Sequence, residues 1–530
     1  MQTIKEEINK TNRVISTPPE NIHTLCLNDH LIKDNQDCLV IYHALVEGFE
    51  ECEQAVQPRI NVFALFFHQL MKILTGYVMK KNELLGPYKP NEKVLGFPVK
   101  RYPYISYMDI LNNVDYESKD YSVEKNDNRY LKRKLISFLS GSLKPFSKGS
   151  IGILPNTLFN RDLVLGLIRN GYNVQFLYDF KISVDYLDIQ LKLISECINK
   201  VFINLCIANS PEPVIEIIKR HIISRVAESN NIRIDCDVII AGSMAELINC
   251  FYGTVARLTK KPIISIVHGE GDQLLSDEPF YGYGDRTNST ILFEFGTGPG
   301  EGLMQGKYLR SLYKSPSLIA SNSNLIRKMY NCNNIMPLKY PNEVTWMYVA
   351  DSLLYHKRWG PFGGNIPDKL YLQWQKELIK VFPSLIYKRH PKGHSIFRQT
   401  SNDELKNKFT QNGKELIMTS DNFYECYDEC DGYLFDQIGT AFSIAAATNK
   451  PIIYFNIGKK NLTVYAEKIV KERCHWIDID PANPVDLWDK IESMKKITFT
   501  NSFTPEFSLD SSYPDLSREQ KLLKTIQSLV

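Results

Sequence analysis

The chain has 530 residues, several times the ~150 of a typical domain, so the sequence predicts at least two domains. Its 63 Lys and Arg against 60 Asp and Glu leave a net charge of +3, which is too small to indicate binding of duplex nucleic acid. With 43% apolar and 23% charged residues, the composition excludes disordered, collagen-like, coiled-coil and disulfide-rich proteins.

The N-terminal part, residues 1–145, is predicted to be mainly helical. Helical periodicity covers 39–55 and 62–85, and a Pro- and Tyr-rich stretch and a charged segment follow. The polar N-terminus lacks the apolar core of a signal peptide, and His68 and Lys72 interrupt the apolar stretch Val62–Met79. We therefore expect a cytoplasmic protein, with peripheral association at the inner face of the plasma membrane left open.

From Gly149 onward, strands alternate with helices, which is typical of parallel sheets covered on both faces. The first series of predicted strands is 150–154, 174–178, 237–241, 262–267 and 317–321, with helices at 163–168, 244–258 and 324–330. After a Pro-containing break at 337–341, the predicted strands are 344–350, 384–388, 416–419, 433–435 and 451–455, with helices at 368–381 and 441–448. The pattern predicts one Rossmann-like domain over 146–336, a second over 337–497, and a linker with a closing helix over 498–530.

Residues that directly follow strands are the best candidates for function, because open α/β sheets bind ligands at the carboxyl ends of their strands. His268 follows an all-apolar strand and stands before Gly269 and Gly271, which let backbone approach a ligand closely. Histidine can take a proton from an attacking hydroxyl, and Glu270 or Asp272 could orient it or act as the base. The alternative is a solvated histidine in a turn.

A cationic cluster ends a strand of the second domain. Lys388, Arg389, His390 and Pro391 place several donors where a phosphate or diphosphate could be held. A polar strand end without function is the alternative. Arg358, next to the glycine-containing loop 359–364, is a further candidate contact at the cleft.

Asp436 ends another strand of the second domain and leads to Gly439 and Thr440 at a predicted helix start. Free backbone N–H groups at such a start can bind an anion, and the alternative is an ordinary N-cap at Thr440. The glycine-rich segment 295–302 lacks the spacing of a dinucleotide-binding loop, and the sequence has no phosphate-binding P-loop. Both observations argue against a Rossmann dehydrogenase and a P-loop NTPase.

The order of these motifs in the second domain resembles the GT-B glycosyltransferases that build bacterial surface polymers. Among them are the CDP-glycerol glycerophosphotransferase-like enzymes, the capsule Kdo transferases and the bacterial sialyl- and polysialyltransferases. His390 and Pro391 match the His-Pro motif that contacts donor phosphate in these families, and Gly439 and Thr440 stand at the position of their Ser-Ser motif. His268 and Gly269 resemble the His-Gly of the glycerophosphotransferases, in which the histidine is a candidate base.

The resemblance implies a GT-B-like α/β fold, in which two Rossmann-like domains face a cleft. It also implies a metal-independent glycosyltransferase or polyol-phosphate transferase of capsule or lipopolysaccharide biosynthesis. A CMP- or CDP-linked donor is favoured, a UDP-linked donor stays open, and the acceptor would be a glycan or a lipid-linked glycan. No further cofactor and no nucleic acid partner are expected. Two alternatives are a UDP-sugar 2-epimerase of the same architecture and a non-catalytic subunit of a polysaccharide assembly complex.

Overall fold

The computed structural model describes most of the chain in separate stretches. These are 27–57, 59–81, 147–154, 161–177, 184–226, 234–242, 247–266, 288–295, 316–321, 344–351, 368–382, 385–388, 417–419, 422–481 and 518–530, with shorter pieces at 93–94, 97–98, 135–137, 244, 274–275, 312–313, 366, 410–411, 414–415, 483 and 489–490. The pairs Lys93–Val94 with Phe97–Pro98 and Thr410–Gln411 with Lys414–Glu415 are short antiparallel ladders.

The first part of the chain forms helices around a six-stranded sheet. The helices are α1 (Leu27–Val56), α2 (Val62–Lys81), α3 (Arg161–Arg169), α4 (Leu187–Asn204), α5 (Glu212–Arg225) and α6 (Leu247–Leu258). The strands are β1 (Ser150–Ile153), β2 (Asn173–Phe176), β3 (Val238–Ala241), β4 (Ile263–Ile266), β5 (Ile291–Phe295) and β6 (Ser317–Ser321). They lie in the order β2-β1-β3-β4-β5-β6, and every pair is parallel.

The second part forms another six-stranded sheet. Its strands are β7 (Trp346–Val349), β8 (Leu385–Lys388), β9 (Ile417–Thr419), β10 (Gly432–Phe435), β11 (Ile452–Asn456) and β12 (His475–Asp478). Its helices are α7 (Asp368–Val381), α8 (Phe423–Cys426), α9 (Thr440–Ala446) and α10 (Val464–Arg473), and α11 (Arg518–Leu529) follows near the end of the chain. The order is β9-β8-β7-β10-β11-β12, again with parallel pairs throughout.

The two parallel sheets confirm the predicted α/β class with two Rossmann-like units. Strands such as β1 and β4 are buried at every position, as expected of a sheet with both faces covered. Helix α3 packs Leu163 and Leu167 into the core and ends before Gly171, whose φ of 86° is in the region that favours glycine. In the second sheet, β7 and β10 are adjacent although two strands separate them along the chain, which makes the crevice between them the topological switch point.

Helices α1 and α2 share a hydrophobic core with α4, α5 and α6 on one face of the first sheet. Gln190 of α4 is fully buried, and its side-chain Oε1 accepts the backbone N–H of Val62 at 2.7 Å. On the opposite face, Leu522 and Ile526 of α11 pack with strands and with α3. The domain boundaries at residues 145, 336 and 497 stay predictions.

The sequence predictions missed several elements. Helices α4, α5 and α10 and strands β5 and β12 were not predicted, and β5 lies between the two strands that were assigned as neighbours in the chain, β4 and β6. The predicted helix 324–330 lies outside the described residues. Among the described residues, no helix has the length and apolarity to cross a bilayer.

Candidate functional site

Four charged side chains stand at the carboxyl edge of the second sheet, on four neighbouring strands. In sheet order they are Lys388 at the end of β8, Asp351 after β7, Asp436 after β10 and Lys459 after β11. Lys388, Asp436 and Lys459 are each 2% exposed, and the Asp351 side chain is 11% exposed. Charges are rarely buried so deeply, and this edge is where doubly wound sheets bind ligands.

The Asp436 carboxylate is held by three donors. Tyr348 of β7 donates its hydroxyl to Oδ2 at 2.5 Å, and Trp374 of α7 donates its indole N–H to the same oxygen at 3.0 Å. Tyr371 of α7 donates its hydroxyl to Oδ1 at 3.1 Å. These bonds join β7, α7 and β10 at the switch point.

Burial and charge act in opposite directions on this carboxyl group. Burial raises the pKa of Asp436, and the Lys459 charge and the hydrogen bonds from Tyr348 and Trp374 oppose that rise. Burial, and then the nearby Asp436 charge, raises the pKa values of Tyr348 and Tyr371 well above their ordinary range. Both tyrosines therefore remain neutral hydrogen-bond donors at physiological pH.

Lys459 is the positive member of a second set of contacts. Its Nζ lies 2.9 Å from Asp351 Oδ2 and 3.4 Å from the centre of the Tyr371 ring, as in a cation–π contact. The Tyr371 hydroxyl also accepts the backbone N–H of Asp351 at 2.9 Å. Tyr371 thus joins the Asp436 contacts to the Asp351–Lys459 ion pair, and the two sets form one network.

Four of the residues predicted for the site are described: Lys388, Asp436, Gly439 and Thr440. Lys388 is separated from Asp436 by β7 in the sheet, and its backbone oxygen accepts the N–H of Ala350 at 3.0 Å. The other predicted site residues lie outside the described residues: Arg358, His268, Gly269, Glu270, Gly271, Asp272, Arg389, His390 and Pro391.

The start of α9 differs in detail from the alternative in which Thr440 is the N-cap. Gly439 is the N-cap residue, with extended backbone, and Thr440 is the first helical residue and is exposed. A Cβ placed at Gly439 would meet the Gln437 Oε1 at 3.6 Å, which is ordinary contact. The role of both residues in binding phosphate stays a prediction.

A segment of the first part of the chain reaches the second sheet. The Leu274 carbonyl accepts the N–H of Thr463 at 2.9 Å, and Leu275 and Leu462 form an antiparallel bridge. Leu274 is buried in the core of the second sheet. The seven residues 267–273, which include His268, join the end of β4 to this contact.

Sequence reasoning missed Asp351, Lys459, Tyr348, Tyr371 and Trp374. Asp351 and Lys459 follow strands, so the rule that selected Asp436 could also have selected them. The aromatic residues lie within β7 and α7 and have the spacing of ordinary core residues, which gives no signal of contact with a buried carboxylate.

No protein-family model matches the chain, and no curated protein matches it. Among solved structures, a match with probability 0.96 is the structure of Phytolacca americana UGT2 complexed with UDP-2-fluoro-glucose and pterostilbene. The identity is 11%, the match covers 74% of this chain and 95% of the other, and the TM-score is 0.26. Because the identity and the TM-score are this low, the function proposed for the chain is argued from its own site.

Proposed function

We propose that the chain transfers a sugar or a polyol phosphate from a nucleotide-activated donor to an acceptor hydroxyl. The observation that carries the proposal is the row of buried charges at the carboxyl edge of the second sheet. When its strands are numbered in chain order from β7 as strand 1, that sheet has the order 3-2-1-4-5-6 of dinucleotide-binding folds. Such sheets bind ligands at the switch point. The second sheet would therefore bind the donor nucleotide.

The cationic strand end would bind the donor phosphates. Lys388 ends β8, one strand away from the switch point, and Arg389, His390 and Pro391 come directly after it in the sequence. Positive groups fixed at this edge would stabilise the charge that develops on the departing nucleotide. Gly439 and Thr440 would lie on the other side of the same crevice, after β10.

The acceptor would be activated from the first sheet. His268, with Glu270 or Asp272 as the alternative base, belongs to the segment that joins β4 to the contact between Leu274 and Thr463. In the proposed step, the acceptor oxygen forms a bond to the transferred group and the base takes the hydroxyl proton. The bond from that group to the nucleotide phosphate breaks, and the nucleotide leaves with the electron pair.

The motif resemblance favours a CMP- or CDP-linked donor over a UDP-linked one, and a glycan or lipid-linked glycan as the acceptor. It also favours a place in bacterial capsule or lipopolysaccharide biosynthesis, at the cytoplasmic face of the membrane. The proposed chemistry requires no metal ion.

A transfer assay tests the proposed function. The full chain is incubated with CMP-, CDP- and UDP-linked donors and an oligosaccharide acceptor, and nucleotide release and acceptor mass are measured. We expect nucleotide release that depends on the acceptor and falls at least 100-fold in His268→Ala, as for loss of a general base. His43→Ala is the control because His43 is an exposed residue of α1.

Two results would contradict the proposal. Conversion of the donor sugar without consumption of the acceptor would indicate an epimerase. Binding of the nucleotide with no turnover of any donor, and the same behaviour in His268→Ala, would indicate a non-catalytic subunit.

A further inference from the structure

The loop between β11 and α10 contacts both parts of the chain. It runs from Ile457 to Thr463, and we call it the coupling loop. Near its start, Lys459 is buried in the network at the switch point, and at its end Leu462 and Thr463 contact the 274–275 segment. Because the loop is short, a displacement at one end is passed on to the other end.

At the switch-point end, Lys459 fixes the loop through an ion pair and a cation–π contact. It pairs with Asp351 at 2.9 Å and lies 3.4 Å from the centre of the Tyr371 ring, with its side chain 1% exposed. The preceding Gly458 has a φ of 72°, a conformation that favours glycine, and among the described residues other than its chain neighbours no atom lies within 4 Å of a Cβ placed there. Lys459 therefore fixes this end of the loop together with Ile457, which is 4% exposed.

At the other end, the backbone fixes the loop to the first part of the chain. The Thr463 N–H donates to the Leu274 carbonyl at 2.9 Å, and the Thr463 Oγ1 accepts the N–H of Ala466 at 3.1 Å as the N-cap of α10. Leu274 directly follows the 267–273 segment that carries His268. The position of Thr463 therefore bears directly on one end of that segment.

We propose that Lys459 is a positioning residue, through which the coupling loop links the donor crevice to Leu274 and Leu275, which directly follow residues 267–273 in the sequence. The inference rests on the proposed function, which assigns donor binding to one end of the loop and the catalytic base to the other. The link between the two ends is a property of the fold. A nucleotide that binds beside Asp351 then stabilises the loop and its contact with Leu274 and Leu275. By reciprocity, a change that strengthens this contact strengthens nucleotide binding.

Amide hydrogen exchange in the nucleotide-free protein tests the link without any assumption about the reaction. Lys459→Met removes the charge and keeps the length of the side chain. We expect exchange at Thr463, whose N–H donates to the Leu274 carbonyl, to become about tenfold faster, because local opening no longer has to break the ion pair. Exchange in strand β8 should not change. Lys459→Arg should restore most of the protection, because a guanidinium group can also pair with Asp351 and stack on Tyr371.

Lys471→Met is the matched control. Lys471 lies on α10, next to the coupling loop, but is partly exposed and pairs with Glu467 one turn away. It should leave exchange at Thr463 within twofold of the wild type. If Lys459→Met does not fold, Asp351→Asn removes the same ion pair from the other side and should accelerate exchange at the Thr463 amide.

The transfer reaction gives a second readout. Lys459→Met should lower kcat about tenfold or more with a smaller change in KM for the acceptor, since the base is displaced and the acceptor contacts remain.

Unchanged exchange at Thr463 in a folded Lys459→Met protein would overturn the link. Equal acceleration in strand β8 would overturn it too, since the residue would then serve global stability only. If the wild type catalyses no transfer but the exchange result holds, the proposed function fails and the mechanical link stands.

Discussion

Tyr348→Phe is the change that probes the buried network most cleanly, because it removes one hydroxyl and leaves the ring. The lost bond is the 2.5 Å donation to Asp436 Oδ2. Hydrogen bonds to charged groups contribute about 1.5–3 kcal/mol, so we expect the free energy of unfolding to fall by about 2 kcal/mol at pH 7. For a domain of ~150–250 residues this lowers the melting temperature by about 4–8 °C.

The loss should depend on pH. Burial raises the pKa of Asp436 above its unfolded value, so the folded protein keeps this proton at pH values where the unfolded chain has released it. The stability that this group contributes is therefore greatest below about pH 4, and it falls as the pH rises through the folded pKa. Removing the Tyr348 donor raises the folded pKa further, so the loss in Tyr348→Phe should be larger at pH 8 than at pH 4.

Urea unfolding of the full chain between pH 4 and pH 8, followed by tryptophan fluorescence, measures this effect. Tyr424→Phe is the control, because the Tyr424 side chain is exposed and its hydroxyl accepts only a surface hydrogen bond, from the Asn422 side-chain N–H at 2.8 Å. The control should change stability by less than about 0.5 kcal/mol. A loss below about 0.5 kcal/mol in Tyr348→Phe, or one that does not vary with pH, would refute this account of the Asp436 contacts.

Two further predictions concern the first part of the chain. Gly253→Ala should lower the free energy of unfolding by about 1–2 kcal/mol although alanine is the better helix former, because its Cβ would lie 2.6 Å from Asn288 Cβ and 2.7 Å from Met244 Cε. The same change in an Asn288→Gly background should cost much less in chemical denaturation, and equal costs in both backgrounds would show that the clash is not the cause. Ile526→Ala should cost about 2–5 kcal/mol, since Ile526 of α11 is fully buried against the first sheet, and thermal unfolding measures this loss. Leu529→Ala, at a partly exposed position of the same helix, should cost far less; similar losses in the two variants would mean that α11 does not pack as described.

Local sequence patterns were sufficient to predict much of both sheets. Strands such as β1 and β4 are short apolar runs with breaks on either side, and α7 was predicted with its observed bounds, Asp368–Val381, from the spacing of its large apolar residues. Two sheet units followed from the alternation of these elements. The helices α4 and α5 have apolar periodicity too, but they occupy a long connection in which no strand was assigned, and they were missed.

Contacts between elements were beyond what local patterns can predict. Periodicity shows that α1 and α2 each have an apolar face, but not that α4, α5 and α6 cover it. In the same way, Lys388 and Asp436 could be selected because each ends a strand. The network through Tyr371 and Lys459 depends on the order of the strands in the sheet, which brings residues distant in sequence to one crevice.

Nucleotide binding tests the central claim most directly. The full chain is heated with CMP, CDP, UDP, GDP and ADP, each over a range of concentrations. A ligand that binds the folded state at 100 times its Kd adds about 2.7 kcal/mol to the free energy of unfolding. We predict that CMP or CDP raises the melting temperature and that Lys388→Met reduces this rise. If none of the five nucleotides changes the melting temperature at millimolar concentration, the proposed donor site is contradicted.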